Sequence, residues 1–200
     1  MQNNSSTKNT AVGAISIRQP AAAFILHRGK DIENRSHPSL FKGNGEIFSD
    51  KPRWVLVHAG QARQKPEPTL SREILKKLGY EDTAAALRGV DQTRGAIVGA
   101  ILISAQLKPS EVCDSLWADD GQYHIKIEEV IPFPKPQTFT GTLGCFAVKF
   151  DELNADIQEL LKDIREDFVP RDKPKATQFG KNFAKNYQKT QFAEAMDDAN

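Results

Sequence analysis

From Gly95 to Ile103 the chain reads Gly-Ala-Ile-Val-Gly-Ala-Ile-Leu-Ile, apolar at almost every position and rich in β-branched side chains. A run of this kind fits a central strand buried on both faces. The chain must therefore build a sheet with material packed on each side of it. The other strand candidates are shorter. Between Gly13 and Arg18, Ile15 and Ile17 alternate with Ala14, Ser16 and Arg18, and Trp54 to Gly60 is apolar except for His58. Tyr123, Ile125 and Ile127 alternate with His124, Lys126 and Glu128, and Gly144 to Phe150 points Phe146, Val148 and Phe150 to one side. Pro132, Pro134 and Pro136 are expected to end pairing after Val130.

Helices are few. Pro20 opens a short apolar helix over Ala21 to Leu26, with Gly29 as its stop, and Asp31 to Arg35 is a second extended segment. Ser71 caps a helix reaching Leu78 before Gly79, and Glu81 to Leu87 is another, stopped at Gly89. Ser36 to Arg53 is a loop with a turn signal at Lys42-Gly43-Asn44-Gly45, and Gln61 to Pro68 is a connector. Leu153, Ile157, Leu160, Leu161, Ile164 and Phe168 recur at helical spacing, so an amphipathic helix should dock on the sheet before Pro170 and Pro174. Beyond it, Phe179, Phe183 and Tyr187 lie opposite Lys181, Lys185 and Lys189. That segment is either an appended helix with a solvated lysine face or a basic arm that adds contact to RNA.

The 200 residues suit one domain with appendages: a disordered tail over residues 1–12, a domain over 13–150 and a C-terminal helical extension over 151–200. The expected fold class is α+β, mainly β, a small barrel rather than a doubly wound sheet. The formal net charge of +1 excludes a general polyanion-binding coat, so any nucleic-acid contact must come from a local patch. Cys113 and Cys145 are too far apart for a metal or redox CxxC pair, which points to a reduced intracellular protein with small buried or half-buried thiols. No stretch approaches the ~20 apolar residues of a membrane span, and the polar start lacks a signal-peptide core. The expectation is a soluble cytoplasmic protein, or a nuclear one in a eukaryote. No Walker loop, GxGxxG, GxSxG or HExxH occurs, against the commonest nucleotide hydrolases, dehydrogenases, esterases and zinc proteases.

Two polar clusters flank the first helix, Arg18-Gln19 before it and Lys30-Asp31-Ile32-Glu33-Asn34-Arg35 after it. A cation beside a carboxylate serves as a ligand clamp, a proton-transfer pair or a plain salt bridge, and Lys30 with Glu33 admits all three. Arg18 and Arg35 offer bidentate donors to phosphate or a base edge, or are surface charge at strand ends. His58 closes an apolar strand, where a hydrogen-bonded structural role competes with catalysis. His124 lies on the polar face of its strand. Trp117, in a loop before Asp119-Asp120-Gly121, is a stacking platform for a nucleobase or a lid on the core. No pair of histidines has metal-ligand spacing, so neither a metal nor any other cofactor is assigned.

These segments together resemble the ASCH domain family of the PUA-like superfamily. The likeness runs through Ile15-Ser16-Ile17-Arg18-Gln19-Pro20, Gly29-Lys30-Asp31-Ile32-Glu33-Asn34-Arg35, Leu56-Val57-His58-Ala59 and Gly95-Ala96-Ile97-Val98-Gly99. It continues through Trp117 with Gly121-Gln122-Tyr123-His124 and ends over Gly141 to Phe146, covering residues 13 to 150. The resemblance implies a PUA-like pseudo-barrel of five or six strands with flanking helices and a cleft that binds RNA or a modified nucleoside. On that reading Trp117 stacks on a base, Arg18, Gln19 and Arg35 engage phosphate or base edges, Lys30 and Glu33 floor the pocket with His58 supporting them, and His124 is a further ligand-binding residue. Some members are hydrolases of RNA or of N4-acetylcytidine, the latter with a lysine, a threonine three residues on and a distant glutamate. Lys30 matches the lysine, but Glu33 stands at the threonine position, so the hydroxyl nucleophile is missing. An enzyme built on this pattern would use Lys30 and Glu33 for proton transfer to water. Ala21 replaces the tryptophan that many members carry after Gln-Pro, which enlarges one wall of the cleft.

Overall fold

A computed structural model describes residues 11–38, 52–62 and 69–162. The first ten residues, the centre of the loop around Lys42, most of the connector near Pro66, and everything after Lys162 lie outside the described residues. So do the expectations for Ile164, Phe168, Lys181, Lys185 and Lys189.

Six strands form one mixed sheet: β1 (Ala11–Ile17), β2 (Ile32–Arg35), β3 (Arg53–Ala59), β4 (Ala96–Leu107), β5 (Tyr123–Thr138) and β6 (Cys145–Lys149). Their order is β2-β5-β4-β3-β1-β6. β1 runs parallel to β3, and the other neighbours are antiparallel. Among the described residues four short α-helices accompany them: α1 (Ala21–His27), α2 (Arg72–Leu78), α3 (Thr83–Leu87) and α4 (Ala155–Leu160). The fold is α+β, mainly β.

The apolar run at Ala96 is the strand between β3 and β5, buried on both faces as its composition demands. One face packs with Ile15, Ile17, Val57, Val98, Ile101 and Ile125 against Ile25 and Leu26 of α1. The other gathers Val12, Leu56, Ala100, Ile131 and Val148 beneath Leu153, Ile157 and Leu161 of the α4 region. Gly99 marks the tightest approach. A Cβ there would stand 2.7 Å from the Ile131 carbonyl oxygen and 2.8 Å from a Leu26 methyl, so its lack of a side chain is what lets α1 lie on the sheet.

The prolines do not end β5. The strand continues to Thr138, with Pro132 opposite Gly99 and Thr138 opposite Ala96. Proline at every second position removes donors from one side of a strand only. β2 pairs with β5 only over Tyr123–Lys126, so further along that side no strand among the described residues needs those donors. The two ends of the sheet also approach each other. Arg35, on edge strand β2, donates from Nη2 to the carbonyl of Ser16 on β1 at 2.7 Å, and its charge acts on the thiol of Cys145 on the opposite edge strand.

Candidate functional site

The short link from α1 to β2 and the strand itself carry the densest set of buried charge. Gly29, with φ of 67°, follows the end of α1 and turns the chain so that Lys30 folds back under the helix. Lys30 is only 7% exposed. Its ammonium donates to the Ile32 carbonyl and stands 5.4 Å from the centre of the Trp117 ring. Burial pulls its pKa below the ordinary 10.5, against the opposing pull of Glu33, Asp119 and Asp31. Glu33 is 8% exposed, and burial pushes its pKa above 4.5 despite the cations Arg35 and Lys30. The carboxylate's ion pair is with Arg35, Nε to Oε1 at 3.2 Å. Lys30 and Glu33 are coupled through space, while the ion pair lies between alternate residues of a strand, whose side chains share a face. That contact is poorly aligned, and Arg35 Nε is a buried donor without a hydrogen-bond acceptor.

Trp117 corrects the expectation of an open stacking surface. It is 8% exposed, tilts against Phe24 with ring centres 5.6 Å apart, and belongs to a core with Ile32, Ile74 and Ala86. Its place is fixed by Asn34, whose Nδ2 donates to the Trp117 carbonyl at 2.8 Å and whose Oδ1 accepts from Asp119 N at 3.2 Å. Asp31 accepts from Ser115 on the same loop. Asn34 was not singled out in the sequence, although an asparagine inside a strand is a signal in itself.

His124 is buried rather than lying on a solvated face. It sits opposite Asn34 in the β2–β5 ladder, and the Trp117 loop covers it. Nε2 bonds the Asp119 carbonyl at 2.9 Å, and Nδ1 is buried without a hydrogen-bond partner. His58 belongs elsewhere: it alternates with Val57 and Ala59, which point into the α1-side core. Nδ1 lies 2.9 Å from Ser16 Oγ, Nε2 lies 3.0 Å from the Phe139 carbonyl, and the ring edge meets Phe146. Burial lowers its pKa. Its partners make it a pin between β1 and the loop before β6, not a support for Lys30.

Gln19 is fully buried and spent internally. Oε1 accepts from Ala23 N at 3.0 Å at the start of α1, and Nε2 donates to the Thr93 carbonyl at 3.1 Å. Arg18 is exposed. Of the residues proposed from sequence, the structure therefore brings together Lys30, Glu33, Arg35 and Trp117, with His124 beneath the same loop. Gln19 and His58 lie at other sites. Cys113 and Cys145 are free and half-buried, and burial raises Cys145 to about 11, so its thiol stays protonated near Arg35. Among the described residues no group of three or more His, Cys, Asp or Glu could hold a metal ion, and no helix is long and apolar enough to cross a membrane. No protein-family model matches the chain, and no curated protein matches it.

Proposed function

We propose that this protein is an ASCH-type domain with a PUA-like pseudo-barrel, and that it binds RNA or a modified nucleoside through the Lys30–Glu33–Arg35 cluster. The barrel reading is supported by the reach of Arg35 from one edge of the sheet to Ser16 and toward Cys145 near the other. The binding reading is carried by one observation: three charged groups gathered on β2 and the link before it, two of them nearly buried, with Arg35 Nε lacking an acceptor. An acceptor at Glu33 beside an unused donor at Arg35 suits the edge of a single nucleobase, which presents a donor next to an acceptor. Trp117 acts here as the wall that holds Lys30, not as an exposed stacking surface. Single-stranded RNAs and nucleosides should bind the wild-type protein and bind the Glu33→Gln and Lys30→Met variants at least tenfold more weakly. Affinity should change little between two salt concentrations, because base edges rather than phosphates are read. Equal affinity for all three proteins sinks the assignment.

A second reading rests on the opposite displacements of the two pKa values, Lys30 downward and Glu33 upward. Groups pushed toward each other in this way are poised for general acid–base work. On that reading the pair hydrolyses a modified nucleoside or RNA, with water as nucleophile. Incubation with N4-acetylcytidine and with RNA separates the two. Turnover lost in a folded Glu33→Gln variant favours the hydrolase, and an intact bound ligand favours binding alone.

A further inference from the structure

Gln19 borders a cavity of about 120 Å³, whose lining includes none of Lys30, Glu33 or Arg35. It lies between α1, the turn at Gly89 to Asp91, and the proline-rich half of β5. Ala23, Leu26, Val98 and Phe133 supply apolar wall, and His27 and Asp91 supply the polar side. We propose that this cavity binds a small organic cation: an aliphatic or ring-sized apolar body carrying one ammonium or amidinium group.

Size comes first. The volume compares with the ~150 Å³ apolar cavity that accepts benzene, which limits the occupant to a ring or a short branched chain. Charge comes next. Among the described residues of the lining Asp91, itself exposed, is the one formally charged side chain. Its carboxylate is fixed in place, with Oδ1 accepting from Thr93 N at 2.8 Å and Thr93 Oγ1 at 2.7 Å. His27 does not cancel it. Burial and the neighbouring Arg28 bring that imidazole down to about 4, so at neutral pH the ring is uncharged. Arg28 itself is occupied, donating to the carbonyls of Ala86, His27 and Arg88 with its guanidinium 5.3 Å from the Tyr80 ring. Gln19 has both ends of its amide bonded and presents a neutral wall. An apolar body in contact with Leu26 and Val98 would thus place its charged end toward Asp91.

Three probes of like shape and different charge test this: isobutylamine, isobutanol and isobutyrate, each titrated into the whole protein at neutral pH while the resonances of Ala23, Val98 and Phe133 are followed. The amine should bind several-fold to about tenfold more tightly than the alcohol, and the carboxylate weakest. Asp91→Asn, which keeps an acceptor for Thr93, should reduce the amine to the level of the alcohol. Equal binding of amine and alcohol, preference for isobutyrate, no shift at those residues with any probe, or an Asp91→Asn variant that still prefers the amine each overturns the proposal. Binding of RNA at the Lys30 cluster is unaffected by any of these outcomes.

Discussion

Glu33→Gln is the sharpest test of how the buried charges are balanced, because two physical arguments give it different signs. Taken as a stabilising buried ion pair, Glu33 and Arg35 should cost ~3–5 kcal/mol when one partner is removed. The geometry argues otherwise. At 3.2 Å and an effective dielectric near 20 the attraction is about 5 kcal/mol. Desolvation costs several kcal/mol per ion, and three ions share the space. Glu33 is raised above 4.5 with burial as the largest cause, so its ionised form is held at a net cost. Arg35, whose side chain is 20% exposed, keeps its bond to the Ser16 carbonyl and an amide oxygen at position 33. We expect Glu33→Gln to lie within ~1 kcal/mol of wild type at pH 7. The sign of the pH dependence follows. A carboxyl raised on folding contributes stability that is present below its unfolded value and lost as pH rises through the folded value. The wild-type advantage over the variant should therefore shrink as pH rises above 4.5, with a slope of at most ~1.4 kcal/mol per pH unit. Urea unfolding of both proteins from pH 4 to 8 measures this. A loss of ~3 kcal/mol or more at pH 7, with wild-type stability growing as pH rises, would refute the reasoning.

Trp117→Ala removes a ring that is 8% exposed and packed on Phe24, and should cost ~3–5 kcal/mol by chemical denaturation; a loss under ~1 kcal/mol would mean that the ring is an open platform after all. Gly99→Ala introduces a Cβ 2.7 Å from the Ile131 carbonyl oxygen and should destabilise by ~1–3 kcal/mol, with α1 resonances moving most; an unchanged unfolding midpoint contradicts the close approach. His27, lowered from 6.5 to about 4, contributes stability that is present above 6.5 and lost as pH falls through 4. His27→Gln should therefore flatten that acid limb by at most ~3 kcal/mol, and identical acid limbs for the two proteins would show that the imidazole is not buried.

Much of the fold was legible because single residues carry unambiguous local physics. Ser71 accepts from Ile74 N, and Gly79 adopts the left-handed conformation at the end of the same helix, as their residue types require. The run at Ala96 could only be an interior strand. The proline triplet misled, because whether a proline breaks a strand depends on which side lacks a partner, and strand order is not written in local sequence. Trp117 and His124 were misplaced for a related reason. Alternation along β5 assigns His124 to the polar face, but the loop at Trp117 covers that face, and the loop is anchored by Asn34 on β2 and Asp31 just before it, both far off in sequence. Lys30, Glu33 and Arg35 were found as a group because they fall on one short strand and its approach. Their true pairing depended on register and burial that spacing alone does not contain.

The arrangement around β2 is expensive in a way that packing alone does not account for. A lysine lowered by burial and a glutamate raised by burial each cost stability at neutral pH, and apolar residues of similar volume would serve a purely structural strand better. Their neighbours are tightly fixed: Asn34 uses both ends of its amide to hold the covering loop, and the Asp31 carboxylate accepts from Ser115. Rigid supports around strained charges are what a preorganised site requires, since the charges must not relax toward solvent before a ligand arrives. A strand built only to close a sheet needs neither the charges nor the supports. Double substitution of Lys30→Met with Glu33→Leu separates the two purposes. A site that trades stability for binding should yield a folded double variant at least as stable as wild type, with RNA and nucleoside binding abolished. A double variant less stable than wild type would show instead that the charges hold the strand in place.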